Sequence, residues 1–197
     1  MNYWKGTPVA TALNAHVRAG KPLGGTSAGL AVLGEFAFSA QGEGSLTSEP
    51  ALRDPFDPRV TLERDFLRFD LLRGVITDSH FSPRARLGRS LVFLARLFDA
   101  GRSDRLLGIG VDEKVALAVE PDGSARVFAS APNARVWLLL PTRPPEVLEA
   151  GRPLTWRDVK VIGLGPESRL NLPRLDVQNP AAASVVSVVN GALTERP

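Results

Sequence analysis

The stretch "KPLGGTSAGLAVLG", residues 21–34, constrains this chain more than any other. Ser27 stands inside a G-x-S-x-G pattern, between a short apolar segment and a longer one with helical character. Glycines on both sides permit a sharp strand-to-helix turn in which no side chain screens the serine. The residues alone leave two readings. Ser27 caps a glycine-rich loop entering a helix, or it is a nucleophile on the tight elbow of an α/β sheet. In the second case the Ala28 amide would face a developing oxyanion, helped by the helix N-terminus that follows.

The surrounding patterns supply such a sheet. Thr7, Pro8 and Gly20 are cap, first-turn and stop residues of a helix over 7–20, with Val9, Leu13 and Val17 as its buried stripe. "KPLGG" reads as a short strand, 28–39 as a helix, and 41–61 as a long Gly/Pro-rich loop. "LLRGVITD" reads as a buried strand. The next helix starts at Ser82 and Pro83 and stops at Gly101, with Leu87, Leu91, Leu94 and Phe98 facing the core. "RLLGIGVD", "KVALAVE", "ARVFAS", "RVWLLL" and "DVKVIGL" read as strands, the second and third joined by a "PDGS" turn. Strands alternating with helices early, then hairpins late, predict an α/β domain with a mixed sheet edge over 1–175. Residues 176–197 show little pattern and are expected as a loosely attached tail.

Composition removes several chemistries. The 197 residues, 44% of them hydrophobic, suit one domain with a real core. Without cysteine there is no thiol nucleophile, disulfide framework or Cys-based zinc site. His16 and His80 are the two histidines, so any histidine base is one of them. His16 falls mid-helix beside the apolar stripe and reads as structural. His80 ends an apolar strand in "TDSHF", at the edge where α/β sheets gather their sites. A formal charge of +3 without a stacking platform of aromatics argues against a nucleic-acid partner. No apolar run is long enough to span a bilayer and "MNYWKGTP" lacks a signal-peptide core, so a soluble, cytoplasmic protein with no membrane partner is expected.

Two further features bear on chemistry. Arg84, Arg86 and Arg89 crowd the start of a predicted helix, an arrangement that is costly unless an anion answers it. They form either a solvated basic face paired with acids such as Asp78 or Asp70, or a site for a carboxylate-bearing substrate. If the second holds, Arg86 and Arg89 share a helix face and at least one should line the cleft of Ser27 and His80. An acid to orient the imidazole could come from Glu43, Glu49, Asp54 or Asp57, all between the serine and the histidine; spacing does not choose.

Three ordered motifs carry a family resemblance: "GTPVATAL…AGKPLGGTSAGLAVLG", "GVITDSHFSPRARLGR" and "LLGIGVDEKVAL". Over about residues 5–165 the chain resembles the cyanophycinase family of serine peptidases, relatives of aspartyl dipeptidase. The resemblance implies a flavodoxin-like, three-layer α/β fold like that of class I glutamine amidotransferases, here expected to lack its first βα units. It implies a Ser-Glu-His triad with no metal or other cofactor: Ser27 as nucleophile, His80 as base and Glu49 as acid. Asp78, Ser79, Arg84, Arg86 and Arg89 match the family's substrate-pocket pattern D-Q-H-F-x-x-R-x-R-x-x-R, with Ser79 in place of its glutamine. The family's upstream "GGDQ"-like segment has no counterpart here. The implied function is hydrolysis of small or β-linked aspartyl peptides carrying aspartyl or arginyl groups. The competing readings are a non-catalytic relative or fragment that binds an acidic or peptidic ligand through the arginine helix, and an α/β-hydrolase esterase. The oligomeric state, a homodimer among the options, is open.

Overall fold

The computed structural model describes residues 3–42, 44, 46–101 and 105–197. Helix α1 (Pro8–Arg18) starts with Pro8 in its first turn and carries His16 and Arg18 in its last. Helix α2 is a single turn (Ala28–Ala31), followed by strand β1 (Phe36–Phe38), helix α3 (Ser48–Arg53) and strand β2 (Leu62–Arg64). Strand β3 (Val75–Ser79), helix α4 (Leu87–Asp99) and strand β4 (Leu107–Val111) form the next unit. The rest is strand: β5 (Val115–Val119), β6 (Ser124–Ala129), β7 (Val136–Leu140), β8 (Trp156–Leu164), β9 (Arg169–Asn171), β10 (Asp176–Gln178), β11 (Ala182–Val189) and β12 (Ala192–Arg196).

An eight-stranded sheet runs β12-β11-β8-β7-β4-β3-β1-β2, and a four-stranded sheet runs β10-β9-β6-β5. Strands β1, β3 and β4 are mutually parallel, and the remaining neighbours are antiparallel. This is a mixed α/β fold with a large central sheet and few helices. Five consecutive buried residues in β3 and in β4 place those strands in the interior. One core packs α3 and α4 on the sheet around Trp156, Phe93 and Leu94; a second lies between the two sheets around Leu107, Leu138 and Leu172. Among the described residues no helix is long and apolar enough to cross a membrane.

Several elements differ from the sequence reading. "KPLGG" runs without regular structure, and the helix expected over 28–39 ends after one turn. The loop expected over 41–61 contains α3, which packs Ala51 and Leu52 into the core. Helix α4 begins at Leu87 rather than at Pro83, because Ala85 takes φ 47° and the Arg86 N–H bonds back to the Phe81 carbonyl. On α1, Val9 is exposed and Ala10 turns inward instead, beside a half-buried Leu13. The tail expected over 176–197 is not loose: β11 pairs along β8 and buries Val186 and Val188 completely. Alternate residues of β11 reach the core, and that period of two is hidden in "AAASVVSVV" by doubled valines and small residues.

Candidate active site

Parallel pairing sets Ser79 of β3 opposite Val111 of β4, so the segments leaving both strands emerge side by side. His80 leaves β3 and Glu113 leaves β4. The Phe81 N–H bonds the Val111 carbonyl (3.2 Å), and the Phe81 ring lies where a Cβ on Gly110 would stand. Asp112, itself buried, ties the two segments further. One carboxylate oxygen accepts the Ser82 N–H (2.8 Å), and the other accepts the Arg135 N–H (3.0 Å) and the Trp137 indole N–H (3.2 Å). On the other side, the Thr77 hydroxyl donates to the Leu30 carbonyl (2.7 Å) and fixes α2 to β3.

Ser27 sits at the head of α2 with φ 51° and ψ −119°, a backbone state that costs a non-glycine residue about 1–3 kcal/mol. Its exposed hydroxyl lies 3.2 Å from Nε2 of His80. Nδ1 of the same ring is 2.8 Å from Oε1 of Glu113. His80 is strained too, with φ 48°, and its side chain is 24% exposed. The elbow depends on its first glycine: a Cβ on Gly25 would lie 2.3 Å from the Gly29 carbonyl group, while one on Gly29 would meet nothing. Gly25→Ala is therefore expected to destabilise the protein by about 1–3 kcal/mol, the cost of overpacking against a backbone that cannot yield. A urea midpoint lower than wild type checks this, and Gly29→Ala should shift the midpoint much less.

The structure thus brings Ser27 and His80 together, with Ala28 as the first helical residue after the serine. It does not bring Glu49 to them. Glu49 is in the first turn of α3, its side chain 81% exposed, and ion-pairs Arg53 one turn on. Asp54 accepts from the Phe56 and Gly151 amides, and Asp57 is paired with Arg59. Glu43 lies outside the described residues. Glu113 occupies the position expected for Glu49. Glu113 follows His80 in sequence and so lies outside the segment between serine and histidine, although "VDEK" follows an apolar strand just as "DSHF" does. His16 bonds the Pro22 carbonyl through Nε2 (3.0 Å), away from these groups.

The arginines also depart from expectation. Arg89 grips Asp78 with two bonds (2.6 and 2.8 Å) and donates to the Leu46 carbonyl (3.0 Å). Arg86 donates to Asp78 (2.9 Å) and to the Ser79 carbonyl (2.7 Å). Burial makes the Arg86 guanidinium easier to deprotonate, and the Asp78 carboxylate opposes that. A cavity of about 620 Å³ opens at Ser27 and His80, and Ser79 also lines it. Asp78, Arg84, Arg86 and Arg89 are not among its lining residues; among the described residues that line it, Lys114 is the one lysine or arginine. The anion that answers Arg86 and Arg89 is Asp78, inside the protein, while Arg84 is exposed.

Similarity to known proteins bears on this site. A cyanophycinase of Trichormus variabilis is 31% identical over 171 residues, which cover 84% of this chain and 51% of that relative. A cyanophycinase of Nostoc matches over the same shares, and one of Synechococcus elongatus is 35% identical over 123 residues, 62% of this chain and 33% of its own. No protein-family model matches the chain. The chain spans about half the length of the first of these curated relatives. Over the span that it shares with them, the chain is cyanophycinase-like.

Proposed function

We propose that the chain is a serine-type peptidase of the cyanophycinase kind, with Ser27 as nucleophile, His80 as base and Glu113 as the acid that orients it. The observation that carries this reading is the relay Ser27 Oγ–His80 Nε2 (3.2 Å) and His80 Nδ1–Glu113 (2.8 Å), joined to a strained serine backbone. A histidine whose far nitrogen is held by a carboxylate presents its other nitrogen to the hydroxyl as an acceptor. Ser27 Oγ attacks the scissile carbonyl carbon while its proton passes to His80 Nε2. The oxyanion is received by the Ala28 N–H. His80 then protonates the departing amine, and water, activated by the same nitrogen, cleaves the acyl-serine and regenerates Ser27.

The substrate proposed from the family is a small or β-linked aspartyl peptide. Its free carboxylate would meet Lys114 on the cavity wall, since Arg86 and Arg89 are engaged with Asp78. For the same reason the arginine helix gives little support to a purely ligand-binding relative. The proposed wider organisation is flavodoxin-like, and it is supported by three parallel strands whose C-terminal ends carry His80 and Glu113.

A fluorophosphonate reagent, which reacts with activated serines, is expected to label Ser27 in the wild-type chain and nothing in Ser27→Ala. Wild type should also release free amino acids from a β-aspartyl dipeptide. Mass spectrometry of the tryptic peptide carrying Ser27 reads the first result, and an unlabelled wild-type serine would sink the proposal.

A further inference from the structure

We infer that the site selects aspartyl peptides whose residue across the scissile bond is apolar rather than basic; this rests on the peptidase reading above and names its substrate class more narrowly. Strand β5 presents Val115, Leu117 and Val119 at every second position, so they share one face, and all three line the cavity that holds Ser27. Leu30 and Leu33, which follow the serine, and Phe69 also line it. Val119 is 36% exposed, on an edge strand paired along one side with β6.

The acidic lining is already committed. Glu113 is held by His80, and Asp112 accepts three hydrogen bonds from Ser82, Arg135 and Trp137. Lys114 contributes a positive charge, which suits the carboxylate of an aspartyl residue and repels a guanidinium. An arginyl side chain entering this cavity would lose water without gaining an uncommitted acid among the described lining residues. A leucyl side chain would gain by leaving water there. A cavity of about 620 Å³ is of the size that holds a dipeptide-scale ligand.

Competition for Ser27 on the full chain tests this. Fluorophosphonate labelling is followed in the presence of either β-aspartyl-leucine or β-aspartyl-arginine. The leucyl peptide is expected to halve labelling at about a tenfold lower concentration, a discrimination within reach of one apolar pocket. Equal protection by both peptides, better protection by the arginyl peptide, or protection by neither overturns the inference while labelling itself still supports the serine site. A Ser27 that takes no label in the absence of peptide overturns the peptidase reading instead. Val119→Glu adds a carboxylate at the exposed end of the apolar face and is expected to bring the two concentrations together or reverse them. Their ratio is read within one preparation, so partial loss of folded protein does not change it. An unchanged ratio in Val119→Glu overturns the role given to that face.

Discussion

Glu113→Gln is expected to lower kcat on a β-aspartyl dipeptide by about 10²–10⁴-fold, whereas Glu49→Gln leaves it within about twofold of wild type. The upper figure is the scale for replacing the acid that orients a catalytic imidazole. The lower bound allows for solvent, because the Glu113 side chain is 50% exposed and water competes for Nδ1 of His80. Glutamine keeps the shape of the side chain but removes the negative charge that stabilises the imidazolium as the serine proton arrives. It also lets an amide N–H face Nδ1, which favours the wrong tautomer. Stability should hardly change, since an ion pair this exposed contributes about 0–1 kcal/mol. The measurement is steady-state kcat for both variants beside their urea midpoints. A Glu113→Gln enzyme with half the wild-type rate, or a Glu49→Gln enzyme that loses tenfold, would remove Glu113 from the relay.

Ser27 and His80 were legible because glycine and histidine report on backbone and chemistry directly. G-x-S-x-G marks a turn that few other sequences allow, and in a chain with two histidines the one at a strand end stands out. Glu113 was not legible by the same route. Its nearness to His80 comes from the parallel pairing of β3 with β4, a contact between segments that a single sequence does not place side by side. The hairpin half of the fold was readable from alternating residues and the Gly123 turn between β5 and β6. The short helices were not. Helix α2 stops because Gly34 is pressed against the Val75 carbonyl, where a Cβ would lie at 2.6 Å, so packing on β3 overrides the helical pattern of "AGLAVLGEF". The arginine cluster was legible as a charge problem needing an anion. That the anion for Arg86 and Arg89 is Asp78, eight and eleven residues away on the neighbouring strand and under the same helix, follows from how α4 lies over β3.

Asp78→Ala is expected to destabilise the protein by about 3–5 kcal/mol, because it leaves two guanidiniums without their acid. Asp78 is 7% exposed at the end of β3, and Arg89, 5% exposed, is gripped through both carboxylate oxygens. The Arg89 guanidinium also lies 5.3 Å from the Phe38 ring centre and 5.8 Å from that of Phe93, so it cannot swing out to water without leaving both rings. Arg89→Met keeps an apolar stem over those rings and leaves Asp78 with Arg86, so about 1–3 kcal/mol is expected there. Arg86→Ala should cost less, since its side chain is 14% exposed and Asp78 keeps its two bonds to Arg89. Urea unfolding of the three variants gives the order Asp78→Ala, then Arg89→Met, then Arg86→Ala. The same series separates a clamp from a substrate site. A clamp loses stability with Asp78, and it loses activity only in so far as the strained turn at His80 loosens, because Arg86 also holds the Ser79 carbonyl beside it. An Asp78→Ala protein within about 1 kcal/mol of wild type would show that the arginines do not depend on Asp78. Their guanidiniums would then be available to a substrate carboxylate after all.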